Sequence, residues 1–254
     1  RVLLCVHGLT RNARDFDPLA RALADHYRVI CPDVVGRGES DWLHNPADYN
    51  VPTYVQHMLA LLAQLGIAQV DWVGTSMGGL IGMSLAALPN APIRKLVLND
   101  AGAVVSARSL QRIAGYVGLA PDFASLAEAE IYMRRTYAGF GTLTDKQWRF
   151  LTEHAVRAVP EGGWRMRYDP AIGDAMRASP IRFDLNLWQL YDAIGAQTVL
   201  LRGAESDLLS HETAAEMALR GPRAHLVEIP GVGHAPMLMD DIQIAIVRNF
   251  LLSR

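Results

Sequence analysis

The stretch over residues 70–81 constrains the fold more than any other part of this chain. Mostly apolar residues 70–73 predict a short buried strand, and residues 77–88 predict a helix that ends near Pro89. Between them the pattern Gly-x-Ser-x-Gly places Ser76 on a tight turn. Such a turn holds a serine in a strained backbone conformation with its hydroxyl exposed, and the glycines let strand and helix pass closely. The helix dipole and free backbone N–H groups then face the same point, which suits a developing negative charge.

Apolar strands alternate with helices on both sides of this stretch. The other strands are predicted at residues 2–6, 28–32, 95–99, 198–202 and 225–229. The other helices are predicted at residues 17–25, 53–66, 211–220 and 241–252. Continuous apolar strands are typical of parallel sheets covered on both faces, and the regular alternation favours right-handed crossovers. The predicted fold class is therefore α/β, with a mostly parallel sheet and helices on both faces.

The alternation stops over residues 103–188, where helices and loops are predicted but no clear core strand. Two patterns typical of helix starts occur there, Ser125 with Glu128 and Thr144 with Gln147. We interpret residues 103–188 as an inserted helical cap, and residues 1–102 and 189–254 as the core. Most aromatic and methionine side chains of the cap are expected to pack inside it rather than line a pocket.

Composition excludes several classes of function. A net charge of −2 over 254 residues gives no electrostatic case for nucleic-acid binding. The apolar runs are too short for a membrane span, and no signal segment precedes the first strand. Cys5 and Cys31 lie in predicted strands and are expected to be reduced core thiols, which favours a cytoplasmic location.

Metal, cofactor and nucleotide binding are not expected either. No Cys/His cluster has the spacing of metal ligands. The glycine-containing loop at residues 36–38 lacks the lysine of a phosphate-binding loop and is not a G-x-G-x-x-G motif. We interpret this loop as a tight turn beside the site.

The serine requires partners, because a hydroxyl is a weak nucleophile at neutral pH without a base, and the base needs an orienting acid. In open α/β sheets, ligands bind beyond the carboxyl ends of the strands. His234 and Asp207 each follow a predicted strand, so Ser76, Asp207 and His234 occur in the order expected on this kind of fold. We predict Ser76 as the nucleophile, His234 as the base and Asp207 as the acid.

Two other carboxylates and one other histidine compete for these roles. Asp100, directly after the strand at residues 95–99, is the alternative acid, and Glu205 is a third candidate. His7 follows the first strand but precedes the serine and adjoins Gly8, so we interpret it as shaping its own turn.

A tetrahedral oxyanion requires two N–H donors. The amide of Met77, the residue after the nucleophile, is predicted as the first. The amide of Leu9, in the loop after the first strand, is predicted as the second. Both are backbone roles, so the side chains of these residues are expected to line the pocket.

The motifs occur in order over nearly the whole chain, and together they resemble those of the α/β-hydrolase superfamily, in particular serine carboxylesterase-like members with a helical cap. The matching positions are His7-Gly8, Asp33 with Gly36, Gly38 and Ser40, the turn from Gly74 to Gly79, Gly203 with Ser206-Asp207, and Gly233-His234. The resemblance implies the same triad and oxyanion hole, with a lid between the strands at residues 95–99 and 198–202. Members usually carry a β-hairpin before the His-Gly strand, so we expect residues upstream of Arg1.

The predicted function is hydrolysis of small carboxylic esters through an acyl-enzyme. Two similar activities remain open: cleavage of C–C bonds in ring-cleavage products, and hydrolysis of enol-lactones. Thr75 stands where those enzymes often have Asn, which favours esters. Proline-releasing peptidases and a non-catalytic receptor on the same fold rank lower, the receptor because all three triad residues are present. The partner is predicted to be a small-molecule ester, with the substrate and oligomeric state left open.

Overall fold

The computed structural model describes residues 1–178 and 181–253. The strands are β1 (Val2–Val6), β2 (Arg28–Ile30), β3 (Val70–Thr75), β4 (Ile93–Asn99), β5 (Val104–Val105), β6 (Val156–Ala158), β7 (Trp164–Met166), β8 (Leu185–Asn186), β9 (Gln197–Gly203) and β10 (His225–Ile229). The helices are α1 (Asp17–Leu23), α2 (Val51–Gln64), α3 (Met77–Ala86), α4 (Ala107–Ala114), α5 (Leu126–Thr136), α6 (Asp145–Ala155), α7 (Ala171–Ala178), α8 (Trp188–Asp192), α9 (His211–Met217) and α10 (Asp241–Leu252).

Six of these strands form the central sheet, in the order β10-β9-β4-β3-β1-β2, and every pairing in it is parallel. The predicted α/β class is confirmed. Strand β4 lies between β3 and β9, so the carboxyl ends of these three strands are neighbours at one edge. That edge is where the sequence predicts the site.

Helices cover both faces of the sheet. On one face, buried side chains of α1 and α10 pack with Leu3, Val73 and Val97. On the other face, α2 and α3 pack with Leu4, Trp72 and many further side chains. Burial on both faces explains why the strands are apolar throughout rather than alternating.

The start of α2 differs from the prediction. The helix begins at Val51 rather than Thr53, because the Asn50 side chain caps it by accepting a hydrogen bond from the Thr53 amide. Asn50 has the extended backbone of a helix cap, and Pro52 falls in the first turn, where its missing N–H needs no partner. The Thr144–Gln147 capping box occurs as predicted, at the start of α6.

The segment between β4 and β9 contains α4–α8 and two short antiparallel strand pairs, β5 with β8 and β6 with β7. None of its described strands joins the central sheet. It is tied to the loop after β2 by a buried hydrogen bond of 2.6 Å from the Tyr49 hydroxyl to Asp169, and by backbone bonds from Asp169 to Gly36 and from Gly38 to Arg167. Within the two described ranges, no helix combines the length and apolar character needed to span a bilayer.

Candidate active site

Ser76 occupies the turn between β3 and α3 with a positive φ of 53° and ψ of −114°, the strained conformation that the motif predicts. The turn depends on glycine, because a Cβ at Gly74 would lie 2.2 Å from the Gly78 carbonyl oxygen. A Cβ at Gly78 would lie 1.9 Å from the carbonyl oxygen of Val6. The strand and helix therefore approach closely enough to expose the serine only when both positions lack a side chain.

Ser76 and His234 lie in contact. The Nε2 atom of His234 is 2.8 Å from the Ser76 hydroxyl oxygen, and its Nδ1 atom is 2.6 Å from an oxygen of Asp100. An ionised carboxylate only accepts, so Nδ1 donates to Asp100 and Nε2 is left to accept from the serine. This tautomer is the one that a general base for a serine requires.

Asp100 is fully buried directly after β4, with φ of 53°. Its Oδ1 accepts a hydrogen bond of 3.0 Å from the Gly203 amide. Its Oδ2 accepts one of 2.6 Å from the Ser206 hydroxyl, in addition to the contact with His234. Buried carboxylates persist where donors of this kind satisfy them, so Asp100 is held in one orientation towards the imidazole.

The structure places Asp207, the residue predicted as the acid, away from His234. The Asp207 side chain is 53% exposed and pairs with Arg112 at 2.8 Å instead of contacting His234. The neighbouring residue, Ser206, turns inward to Asp100, so the loop after β9 supplies a hydroxyl rather than a carboxylate. Glu205, the third candidate, is exposed and makes no hydrogen bond to His234 within the described residues.

His7 fixes the loop beside the site. Its Nδ1 donates to the Gly8 carbonyl at 2.8 Å, and its Nε2 accepts from the Val34 amide at 3.0 Å. Burial lowers the pKa of His7 to about 4, and the Arg37 charge acts in the same direction, while the Gly8 carbonyl opposes the shift. The ring is therefore neutral at neutral pH, in keeping with a residue that shapes its own turn.

The amides of Leu9 and Met77 have no hydrogen-bond acceptor among the described residues. A Cβ at Gly8 would lie 3.7 Å from the Cβ of Ser76, which places the Leu9 loop next to the serine. The fully buried Arg37 holds this loop by donating to the Leu9 carbonyl at 2.8 Å. These two amides are therefore available to an oxygen bound at Ser76.

Sequence reasoning missed Ser206 and Arg37 as parts of the site. Ser206 lies one residue before the carboxylate that the prediction favoured, and Arg37 lies in the loop interpreted only as a tight turn. An arginine between two glycines close to the predicted site was the available signal, because a buried guanidinium can hold several carbonyls at once.

Two cavities meet at Ser76. The larger, about 360 Å³, contains His234 and the charged side chains of Arg112, Glu205 and Asp207. The smaller, about 170 Å³, is lined mainly by apolar side chains such as Leu80 and Met176. Ser76 thus lies between two cavities whose linings differ in chemistry.

Comparison with known proteins identifies the class. Residues 1–241 match the family model described as the alpha/beta hydrolase fold. The chain belongs to this family, and its sequence and fold are those of a hydrolase.

Individual relatives resemble the chain over nearly its whole length. A 3-hydroxybutyrate-oligomer hydrolase of Cupriavidus necator is 46% identical, over 98% of this chain and 88% of its own. A crystal structure of a putative hydrolase from Rickettsia typhi has a TM-score of 0.92 at 35% identity, covering 99% of this chain and 86% of the other. An alpha/beta hydrolase from Novosphingobium aromaticivorans has a TM-score of 0.89 at 39% identity, covering 98% and 88%.

Proposed function

We propose that the chain is a serine hydrolase that cleaves small carboxylic esters through an acyl-enzyme intermediate. The observation that carries this proposal is the unbroken hydrogen-bonded series from the Ser76 hydroxyl through His234 to the buried Asp100. The similarity to a hydrolase of 3-hydroxybutyrate oligomers supports an ester substrate and makes short hydroxyacid oligoesters the first candidates.

In the first half of the reaction, the Ser76 oxygen attacks the ester carbonyl carbon while Nε2 of His234 takes the hydroxyl proton. Asp100 holds the imidazole in the required tautomer and stabilises the imidazolium that forms. The amides of Leu9 and Met77 donate to the carbonyl oxygen as it becomes an oxyanion. When the C–O bond breaks, His234 gives the proton to the leaving alcohol and the acyl group stays on Ser76.

In the second half, water replaces the alcohol. His234 takes a proton from the water, whose oxygen attacks the acyl carbon, and the proton then returns to the serine oxygen as the carboxylic acid leaves. Both halves use the same groups. In each of them, Asp100 stabilises the imidazolium that forms when His234 takes a proton.

We also propose that residues 103–188 act as a cap over this site. Arg112, Tyr116, Tyr137 and Phe140, all from this segment, line the cavity that contains Ser76 and His234. A cavity lined in part by such a cap suits a small substrate better than a polymer lying in an open groove.

The experiment compares Ser76→Ala with Ser84→Ala, using p-nitrophenyl butyrate and the 3-hydroxybutyrate dimer as substrates. Ser84 lies on α3, the helix that follows Ser76, and among the described residues its hydroxyl bonds to the Leu80 carbonyl alone, so it is a matched control. We expect Ser76→Ala to lower kcat/KM by at least about 10³-fold, and to abolish labelling by a fluorophosphonate, while Ser84→Ala keeps both. Full activity in Ser76→Ala would contradict the proposal, and faster turnover of dienones or enol-lactones would favour the related activities.

A further inference from the structure

The two cavities at Ser76 differ in which part of the site they contain. Leu9, Ser76 and Ile113 line both of them, so each adjoins the serine. Of the two cavities, His234 lines the larger alone, and Met77 lines the smaller alone. The serine therefore lies at a junction, with the base on one side and the first turn of α3 on the other.

The position of the base determines which half of an ester each cavity receives. His234 must pass a proton to the departing alcohol oxygen, so that oxygen has to lie within hydrogen-bond reach of Nε2. Since the imidazole faces the larger cavity, the alcohol occupies that cavity. The acyl chain, which extends from the other side of the carbonyl carbon, is directed into the smaller one.

The linings of the two cavities fit this assignment. Thr10, Arg112, Glu205 and Asp207 give the larger cavity hydroxyl and charged groups that can solvate a polar alcohol. The smaller cavity has side chains such as Leu80, Leu110, Ile172, Met176 and Leu208. The hydroxyls of its two tyrosines are each engaged in a hydrogen bond, that of Tyr49 donating to Asp169 and that of Tyr54 accepting from Arg37. An apolar chain is the ligand that such a lining favours.

The volume of the smaller cavity limits the length of the acyl chain that it can hold. A dry protein cavity of about 150 Å³ accommodates benzene, with six carbons. At about 170 Å³, the smaller cavity holds a chain of similar size.

On the basis of the proposed function, we propose that the substrates are esters joining an acyl chain of about four to six carbons, bound in the smaller cavity, to a polar alcohol bound in the larger one. Met176 and Leu110 then limit acyl length. Both side chains are only partly buried. The fold should therefore tolerate their replacement better than the replacement of a core residue.

The test uses two methionines as a matched pair, Met176 in the smaller cavity and Met237 in the larger. For the wild type, kcat/KM on p-nitrophenyl esters is expected to be highest at four to six acyl carbons and to fall by about 10-fold or more at ten. Met176→Ala is expected to raise the rate on eight carbons relative to four by about 10-fold. Met237→Ala is expected to leave this profile unchanged, and to alter the ratio of rates between butyrate esters of p-nitrophenol and of glycerol.

Leu110→Trp provides the converse change and covers the case in which Met176→Ala does not fold. It is expected to shift the optimum to two or three carbons. A chain-length profile that Met176→Ala and Leu110→Trp leave unchanged, or that only Met237→Ala shifts, would overturn the assignment of the cavities. Failure of the proposed function has a different readout, namely a wild type that hydrolyses no ester of the series or a Ser76→Ala variant that hydrolyses them all.

Discussion

At the scale of single residues, Asp100 and Asp207 differ in burial and in their partners, although each follows a strand of the same sheet. Asp100 is buried with three donors around it, whereas Asp207 is half-exposed and paired with Arg112. A buried carboxylate in contact with an imidazole fixes its tautomer and orientation. A solvated carboxylate that does not contact the imidazole has no such effect. The two carboxylates should therefore respond very differently to neutralisation.

We predict that Asp100→Asn lowers kcat/KM on p-nitrophenyl butyrate by about 10³- to 10⁴-fold, because an amide at Nδ1 favours the wrong tautomer of His234. Asp207→Asn, the matched control, should stay within about fivefold of the wild type. Circular dichroism would establish that both variants fold. The reverse order of the two losses would restore Asp207 as the orienting acid.

The sequence was sufficient to place Ser76 and His234 together, because a motif with its flanking strand and helix defines the first, and a strand end defines the second. It favoured Asp207 over Asp100 as the partner of His234, whereas the structure places Asp100 there. That choice depends on β4 lying between β3 and β9, which is a property of the sheet order and not of chain order. The inward turn of Ser206 likewise depends on the path of a loop, which residue pattern does not specify.

At the scale of elements, the contact between α3 and β1 is what exposes Ser76. The Gly78 position touches the carbonyl of Val6, and the Trp72 indole donates to the Gly78 carbonyl at 3.0 Å on the other side. Both partners are held in place by strands of the central sheet, so neither can move aside for an added methyl group.

We predict that Gly78→Ala lowers the free energy of unfolding by more than about 3 kcal/mol, or prevents folding, because its Cβ would lie 1.9 Å from backbone of β1. Gly195→Ala is the control: its Cβ would have no neighbour within 4 Å, and the change should be within about 0.5 kcal/mol. Urea unfolding followed by circular dichroism measures both. Equal stability of the two variants would show that the turn after β3 accommodates a methyl group at residue 78, contrary to the structure.

The elements themselves were largely predictable. The bounds of β1, β10 and α10 match the sequence prediction, since each is a strongly apolar or amphipathic run with clear ends. The start of α2 was not, because Asn50 and Thr53 both fit a helix cap and only backbone geometry separates them. The contacts of the segment after β4 were least predictable, because they join residues far apart in the chain.

At the scale of the whole molecule, two of the polar contacts that join the segment between β4 and β9 to the rest of the chain differ sharply in burial. The Arg112–Asp207 ion pair is about half exposed on both sides, and exposed pairs of this kind contribute about 0–1 kcal/mol. The Tyr49–Asp169 hydrogen bond is buried, and the Tyr49 hydroxyl also accepts from the Leu43 amide at 2.8 Å. Burial and the bond to Asp169 raise the pKa of Tyr49 to about 12, so its hydroxyl remains a donor at neutral pH.

We predict that Tyr49→Phe lowers the free energy of unfolding by about 1–3 kcal/mol, because it leaves a buried carboxylate oxygen and the Leu43 amide without their partner. Arg112→Gln should lower it by less than about 1 kcal/mol, although both variants remove one link between the same two parts of the molecule. Asp169→Asn keeps an acceptor for the tyrosine hydroxyl and should fall between them. Urea unfolding at neutral pH, followed by tryptophan fluorescence, measures all three. If Arg112→Gln proves the more damaging, the surface ion pair rather than the buried hydroxyl holds the segment in place.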